Sequence, residues 1–307
     1  MIIIGENIQV LASRVKKIIN ERDTEGLQQM ALEQWNNGAS VIDLNIGPQK
    51  KAGVEIMEWG VDAIQAAIPE APISLDTTNL AAIEAGLKRC KNQPFINSTS
   101  AEEERLSGIA PLAGKYGAKV IALTMTKSGI PVSAEERVGI AMEILIPRLT
   151  EAGVPITDIY LDPLVLTVNG CQEYVPNAIE AVRFLKLSAD PAPMTVVGLS
   201  NVSNSVSHEN RSLINRTYMV MLMAAGLDAA IADPLDQAQN EFLRIVTERD
   251  ASTPVGQLLV NLHDAVAAMG ELEPDMVDMN DPEQVAIYKT VQILMNKIIF
   301  ADSYLRM

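Results

Sequence analysis

Eight short β-rich runs alternate with segments of helical period along this 307-residue chain. Such strict alternation predicts a parallel sheet, because each helix must return the chain to the same edge. Eight strand–helix units in a chain of this length predict an α/β fold, the (β/α)8 TIM barrel. A doubly wound sheet is the alternative, but no G-x-G-x-x-G pattern follows the first run. The runs are Ile2–Glu6, Val41–Gly47, Ile73–Thr78, Pro94–Ser100, Val120–Met125, Ile159–Val165, Thr195–Asn201 and Ala229–Pro234.

Beyond Pro234 the alternation stops, and three further helices are predicted. The spacing of apolar residues predicts helices over Asp236–Arg249 and Thr253–Met269, followed by an acidic, turn-rich stretch. A long final helix is expected over Glu283–Tyr304. We therefore expect a single barrel domain over residues 1–307, with 235–282 inserted as a helical segment between strand 8 and the final helix.

Composition excludes several classes of function. The net charge of −15 argues against nucleic-acid binding, which depends on Lys and Arg at phosphates. No apolar run approaches the roughly 18 residues of a membrane span, and the first residues lack the basic region of a signal peptide, so we expect a cytoplasmic protein. The chain has only two cysteines and two histidines, with no C-x-x-C or H-x-x-x-H pair, so no protein-bound metal is predicted.

Carboxylates and amides recur at the carboxyl ends of the predicted strands. In a barrel all these ends meet at one mouth, where active sites lie. Asp43, Asp233 and Glu6 are as readily explained by hydrogen bonds from backbone N–H groups of the turns. The functional reading is favoured for four others taken together, namely Asp76, Asn97, Asp162 and Asn201.

The seventh run, Thr195–Asn201, is apolar and ends in an uncharged polar tip. Gly198 allows another group to approach the backbone, and Ser200 and Asn201 bring hydrogen-bonding groups without charge. Such a tip suits a neutral or weakly basic substrate atom. Because carboxylates accept adjacent N–H donors, a fused heterocycle with a guanidine-like edge, such as a pterin, fits this mouth better than a phosphate ester.

Several motifs in one order resemble the pterin-binding methyltransferase family, most closely its methyltetrahydrofolate:corrinoid/iron–sulfur protein methyltransferases and the tetrahydrofolate methyltransferase component of O-demethylase systems. The resemblance covers residues 1–234 and resumes in the final helix, and it implies a dihydropteroate synthase-like barrel. The motifs are Asp43–Pro48, Leu75–Asn79, Glu84–Asn92, Ile96–Thr99, Leu123–Pro131, Tyr160–Leu164, Ala189–Pro193, Gly198–Ser203 and Leu213–Thr217.

The resemblance also implies roles for individual residues. Asp76, Asn97 and Asp162 match the family's pterin hydrogen-bonding residues. Asn201 matches the asparagine that reaches N5, the nitrogen that carries the methyl group, and Arg211 matches an arginine near the p-aminobenzoate and glutamate tail. Asn201 and Asp162 are the expected catalytic residues. The expected folate contacts also include Asn45, Gly198 and Ser200.

The implied reaction moves a methyl group between N5 of tetrahydrofolate and the cobalt of a corrinoid. The corrinoid is carried by a partner protein, and a homodimer is implied. Asn201 cannot supply a proton at neutral pH, so the proton on N5 is expected to arrive through water, with help from Asp162 or Asp76. The direction of transfer and the roles of Asn204, His208 and residues 235–282 stay open.

Two rival functions share the same barrel. A dihydropteroate synthase-like condensation enzyme is expected to carry a lysine and an arginine near the seventh and eighth strands to handle pyrophosphate release, whereas Gly198–Asn201 is uncharged where the lysine would lie. A non-catalytic folate-binding subunit has no need of Asn201.

Overall fold

The computed structural model describes residues 1–305 and confirms the predicted barrel. Eight strands close in chain order, each parallel to its neighbours, and β1 pairs with β8. The strands are β1 (Ile2–Gly5), β2 (Val41–Asn45), β3 (Ile73–Asp76), β4 (Phe95–Ser100), β5 (Lys119–Leu123), β6 (Ile159–Asp162), β7 (Met194–Gly198) and β8 (Ala229–Ala232).

The barrel interior is filled by side chains, because successive residues of a strand point to opposite faces. One small cluster of buried residues takes a member from seven of the eight strands, and within it the rings of Phe95 and Tyr160 pack edge to face at 5.0 Å. The opposite strand faces pack on the surrounding helices in two larger apolar clusters. The interior cluster consists of Ile4, Val41, Phe95, Ile121, Tyr160, Val196 and Ala229.

Helices surround the strands. Local signals fix several of their ends: the Asn79 side chain accepts from the N–H groups of Ala81 and Ala82, and Ser133 accepts from that of Glu136. The helices are α1 (Ser13–Glu21), α2 (Thr24–Asn36), α3 (Gly53–Ala67), α4 (Leu80–Arg89), α5 (Glu103–Tyr116), α6 (Ala134–Ile140), α7 (Ile146–Glu151), α8 (Val168–Cys171), α9 (Val175–Leu187), α10 (His208–Ala224), α11 (Gln237–Glu248), α12 (Pro254–Ala267), α13 (Pro282–Leu294) and α14 (Asp302–Leu305). A π-helical turn over Ala141–Leu145 joins α6 to α7.

The long final helix predicted over Glu283–Tyr304 is wrong, because α13 ends at Leu294. The backbone of Asn296 takes a left-handed φ of 56°, which an α-helix does not continue through. The chain resumes a helix only at Asp302, in the short α14.

Residues 235–282 hold the two predicted helices, α11 and α12. α11 follows β8 directly, and the side chains of Gln237 and Asn240 donate to Asn37 at the end of α2. α12 instead packs against α10 and α11, and Arg183 of α9 donates to the carbonyl of Val266 near its end. α11 therefore stands in the ring of helices between α10 and α2. Within residues 1–305, no helix is long and apolar enough to cross a membrane.

Candidate functional site

The strand register brings the predicted polar residues to one level at the carboxyl end of the sheet. Asn45 of β2 pairs with Asp76 of β3, and Asp76 pairs with Asn97 of β4. Asp162 of β6 pairs with Leu123, the last residue of β5. Because adjacent parallel strands lie about 4.8 Å apart, Asn45, Asp76 and Asn97 form a row of neighbouring side chains.

Two carboxylate–amide pairs occupy this row. The Asn45 Nδ2 donates to Asp76 Oδ2 at 2.5 Å, while Asn45 Oδ1 accepts from the backbone N–H of Gly47 at 3.1 Å. In the second pair, Asn97 Nδ2 donates to Asp43 Oδ1 at 3.1 Å. Each amide therefore uses its nitrogen on a carboxylate, which leaves the second oxygen of Asp76 and the carbonyl oxygen of Asn97 for other donors.

A cavity of about 280 Å³ opens over β3 and β4, and we call it the β3–β4 cavity. Asp76 and Asn97 line it, together with Leu123, Met125 and the loops that follow β3 and β4. These acceptors beside apolar side chains can receive a flat ring with N–H donors on its edge.

Arg105 of α5 also lines the β3–β4 cavity, although no sequence motif indicates its role. Its guanidinium donates to the carbonyls of Thr77 at 2.9 Å, Thr78 at 3.0 Å and Ser98 at 2.7 Å. Arg105 therefore ties the loop after β3 to the strand that carries Asn97. Only tertiary structure joins these carbonyls, so a search for local motifs could not find them.

The two carboxyls of these pairs, Asp76 and Asp43, both have raised pKa values. Burial raises the pKa of Asp76, and the negative charge of Asp43 raises it further, while Asn45 and Arg105 oppose the rise. Burial also raises the pKa of Asp43, against the hydrogen bonds from Ser74 and Asn97. Because two buried carboxylates this close repel, the pair retains a proton at higher pH than isolated carboxyls do.

Asp162 is 5% exposed at the end of β6. Its Oδ1 accepts from the backbone N–H of Leu164 at 2.7 Å, so it has the local backbone partner that was expected for other residues. Burial raises its pKa to about 7, and the positive charge of Arg137 opposes this rise. Asp162 can therefore hold or release a proton near neutral pH.

Arg137 of α6 is fully buried, and the sequence did not single it out. Its Nε donates to the carbonyl of Pro131 at 2.9 Å, whereas Nη1 and Nη2 have no hydrogen-bond partner among the described residues. A buried guanidinium costs free energy unless nearby charge compensates it. The side chains of Tyr218 and Asp162 interact electrostatically with this guanidinium. The predicted catalytic carboxyl of Asp162 therefore lies within the field of a permanent positive charge.

The tip of β7 is built differently. Asn201 is exposed, and its Oδ1 accepts from the Nδ2 of exposed Asn204 at 3.2 Å. A Cβ added to Gly198 would stand 2.8 Å from Asn201 Nδ2. The group that approaches the Gly198 backbone is therefore the side chain of Asn201 itself.

A second cavity of about 360 Å³ lies between β1, β8 and the start of α10, and we call it the β1–β8 cavity. Ser200 and Arg211 line it, as does Glu6, which receives a hydrogen bond from Ser200 Oγ at 2.5 Å. Burial raises the pKa of Glu6 to about 7. Arg211 Nε donates to Ser203 Oγ at 3.2 Å, and His208, the first residue of α10, also faces this cavity.

The predicted residues thus fall into three places. Asp76 and Asn97 line the β3–β4 cavity with Asn45 hydrogen-bonded behind them, and Ser200 and Arg211 line the β1–β8 cavity. Among the described residues, the linings of these two cavities do not include the remaining three predictions, Asp162, Gly198 and Asn201.

Asp43, Glu6 and Asp233 have side-chain partners, which the sequence could not pair. Asp43 accepts from Ser74 and Asn97, and Glu6 accepts from Ser200. For Asp233 the expected backbone contact is present, from the N–H of Leu235, beside one from the Asn7 side chain. In residues 1–305 no group of three or more His, Cys, Asp or Glu could hold a metal ion.

The fold and sequence place this chain among known proteins. A dihydropteroate synthase structure from Yersinia pestis aligns with a TM-score of 0.56 at 18% identity, covering 74% of this chain and 89% of that one, which supports the barrel alone. A methylcorrinoid:tetrahydrofolate methyltransferase from Eubacterium limosum is 28% identical over 239 residues, which cover 76% of this chain and 85% of that protein.

Two methionine synthases are also similar. That of Mycobacterium tuberculosis is 27% identical over 91% of this chain, and that of Mycobacterium leprae is 30% identical over 75% of it. The matches cover only 25% and 20% of those longer proteins. Residues 12–233 match the family described as pterin binding enzyme. Since this match spans well over half of the sequence, the chain belongs to the pterin-binding enzyme family.

Proposed function

We propose that the protein transfers a methyl group between N5 of (methyl)tetrahydrofolate and the cobalt of a corrinoid carried by a partner protein. The whole chain then acts as one pterin-binding domain, in the proposed homodimer. The carrying observation is a cavity lined by half-buried acceptors at β3 and β4, in a barrel that also carries an uncharged amide, Asn201, just beyond β7. The similarity to the Eubacterium limosum enzyme over 85% of its length supports the same reaction.

The β3–β4 cavity suits the pterin ring. Asp76 in its ionised form and Asn97 each offer an acceptor oxygen that their internal hydrogen bonds leave free. A pterin carries N–H donors along its pyrimidine edge, so it matches these acceptors without a change in the protein. Leu123 and Met125 supply apolar surface for the ring faces.

Asn201 serves the reacting nitrogen. The amine at N5 is a poor leaving group until it gains a proton or a strong hydrogen bond in the transition state. The carbonyl oxygen of Asn201 can stabilise an N–H at N5, and its own amide carries no charge that repels it. Its present partner, the exposed Asn204, is easily exchanged.

Two carboxyls with raised pKa values can supply the proton. Asp162 and Glu6 both have pKa values raised to about 7 by burial, so each is partly protonated at neutral pH. Asp162 lies at the end of β6, and Glu6 is hydrogen-bonded to Ser200, the neighbour of Asn201. Either carboxyl can deliver a proton toward N5 through water and recover it when the reaction runs backward. The corrinoid supplies only the methyl acceptor or donor.

Single-turnover absorption spectroscopy tests this function. The protein is mixed with methyltetrahydrofolate and free cob(I)alamin, and separately with tetrahydrofolate and methylcob(III)alamin. We expect the cobalt spectrum to change in both directions at a rate that depends on protein concentration. No spectral change in either direction, or turnover of dihydropterin pyrophosphate with p-aminobenzoate, would overturn the proposal.

A further inference from the structure

Asp43 lies beneath the β3–β4 cavity without lining it. It is 4% exposed, and its Oδ1 receives two hydrogen bonds, from Ser74 Oγ at 2.5 Å and from Asn97 Nδ2 at 3.1 Å. Ser74 is itself fully buried, so this arrangement is sealed from solvent. The only one of the three that reaches the ligand cavity is Asn97.

An asparagine amide has a donor end and an acceptor end, and its neighbours decide which end faces which way. A carboxylate oxygen accepts hydrogen bonds and donates none, so Asp43 holds the nitrogen end of the Asn97 amide. The carbonyl oxygen is then turned away from Asp43. Ser74 reinforces this choice because its hydroxyl donates to the same oxygen and favours the ionised form of Asp43.

We propose that Asp43 is a specificity-determining residue that fixes the Asn97 amide with its carbonyl oxygen toward the ligand. The cavity then selects a heterocycle with an amino group at that position, as in a pterin, over one with an oxo group, as in a lumazine. This inference rests on the proposed pterin site. It assigns Asp43 to positioning and not to contact, since its side chain is covered by Ser74 and Asn97.

The test exploits isosteric substitutions. Asp43→Asn introduces a donor next to Asn97, so the Asn97 amide is free to turn its nitrogen toward the ligand. The double variant D43N/N97D exchanges the two groups, so that an amide at 43 donates to a carboxylate at 97. The carboxylate then offers its other oxygen to the ligand, and the original preference returns.

The measurement is the ratio of dissociation constants for 6-methylpterin and 6-methyllumazine, by calorimetry. We expect the wild type to bind 6-methylpterin more tightly than 6-methyllumazine. In D43N the ratio of the two dissociation constants should fall about tenfold or more, and in D43N/N97D it should return to the wild-type value. Ser74→Ala is the matched control, because it removes a partner of Asp43 but leaves the bond to Asn97. It is expected to keep the preference.

The negative charge of Asp43 also raises the pKa of Asp76. This charge effect can be separated experimentally from the effect of Asp43 on the orientation of the Asn97 amide. In an Asn97→Ala background only the charge effect of D43N remains, because there is no amide to orient. We expect this charge effect to act alike on the binding of both ligands, so D43N should leave the ratio unchanged there. An unchanged ratio in D43N, an equal change in the N97A background, or no recovery in D43N/N97D would overturn the proposal. Should D43N fail to fold, the test is the comparison of D43N/N97D with the wild type, which should show the same preference. A wild type that binds neither ligand refutes the pterin site instead.

Discussion

The two sides of the barrel mouth are built in opposite ways. At β2–β4 the polar side chains are engaged with one another, in the pairs Asn45–Asp76 and Asn97–Asp43. Just beyond β7 the predicted N5 contact, Asn201, is exposed, and within residues 1–305 its side chain has one hydrogen-bond partner, the exposed side chain of Asn204.

Under the proposed function, we infer from this difference that β2–β4 recognises the pterin and that the end of β7 takes part in the reaction. Side chains held by hydrogen bonds to their neighbours present fixed acceptors, so little ordering is required when a ligand binds. A group that must follow a nitrogen as it gains or loses a methyl group needs freedom to adjust, and a partner protein needs access to it. On this basis, changes at β2–β4 should act on affinity, and changes at β7 should act on rate.

The largest effect is expected at Asn201. Asn201→Ala should lower the single-turnover rate about 100- to 1,000-fold, as loss of one charge-stabilising group does in other enzymes, while the dissociation constant of methyltetrahydrofolate changes only a few fold. Stopped-flow spectroscopy and calorimetry give the two quantities. Asn204→Ala is the control, since it removes the partner and keeps Asn201. Equal losses in rate and affinity would erase the distinction between the two sides.

Asp76→Ala should act chiefly on affinity. It removes an acceptor and leaves Asn45 Nδ2 without its partner, so we expect folate binding to weaken about 10- to 100-fold, with a smaller change in rate at saturation. Calorimetric titration measures this. Glu102→Ala is the matched control, because Glu102 is another carboxylate that lines the β3–β4 cavity. A rate defect at saturation larger than the affinity defect would contradict the assignment.

Gly198→Ala tests the β7 side without removing a functional group. The new Cβ would meet Asn201 Nδ2 at 2.8 Å, so the amide must shift, and we expect the transfer rate to fall about tenfold with affinity retained. Gly139→Ala on α6 is the control, because a Cβ there meets no atom within 4 Å. An unchanged rate would mean that Asn201 has no required position.

The smallest expected effect is on the pH dependence of stability. The pKa of Asp162 is raised by burial to about 7, above its value in an unfolded chain, so the native state binds more protons between about pH 4 and 7. Its stabilising contribution is complete below the unfolded pKa and is lost as pH rises through 7. Thermal melts should therefore show a Tm that declines from pH 5 to pH 8.

Asp162→Asn should reduce the slope of that decline, because the asparagine does not titrate. Glu103→Gln supplies the comparison, since hydrogen bonds from Arg148 and Ser107 hold the pKa of Glu103 at about 2, outside the window. An identical slope of Tm against pH in the wild type and in Asp162→Asn would show that Asp162 does not take up a proton in this pH range.

Much of the fold follows from sequence because strands and helices carry their signals locally. All eight strands lie within or next to the predicted runs, and Asn79 caps its helix as expected. The final helix was misjudged because its apolar spacing continues past Leu294, whereas the backbone turns at Asn296. The spacing of apolar residues shows which side of a helix can be buried, but it does not show where the helix ends.

The site was predictable only in part for the same reason. A polar residue at a strand end is visible in the sequence, so Asp76, Asn97 and Asn201 were placed at the mouth. Arg105 and Arg137 lie on helices, where an arginine is ordinarily solvated. Only the folded structure brings Arg105 to the β3–β4 cavity and buries Arg137. Partners of this kind are fixed by packing between distant segments.

The bond between Ser200 and Glu6 joins residues that lie 194 positions apart, whereas Asn97 and Asp43 are separated by 54. Loop-closure entropy grows with separation, so contacts between the ends of a chain are reached late unless other contacts shorten the path. Here the path shortens only once β1, β7 and β8 lie in one sheet. The bond between Asn97 and Asp43 can therefore form within the first third of the chain, as synthesis proceeds. The bond between Ser200 and Glu6 is completed last, when the barrel closes, so an unclosed barrel holds the first pair without the second.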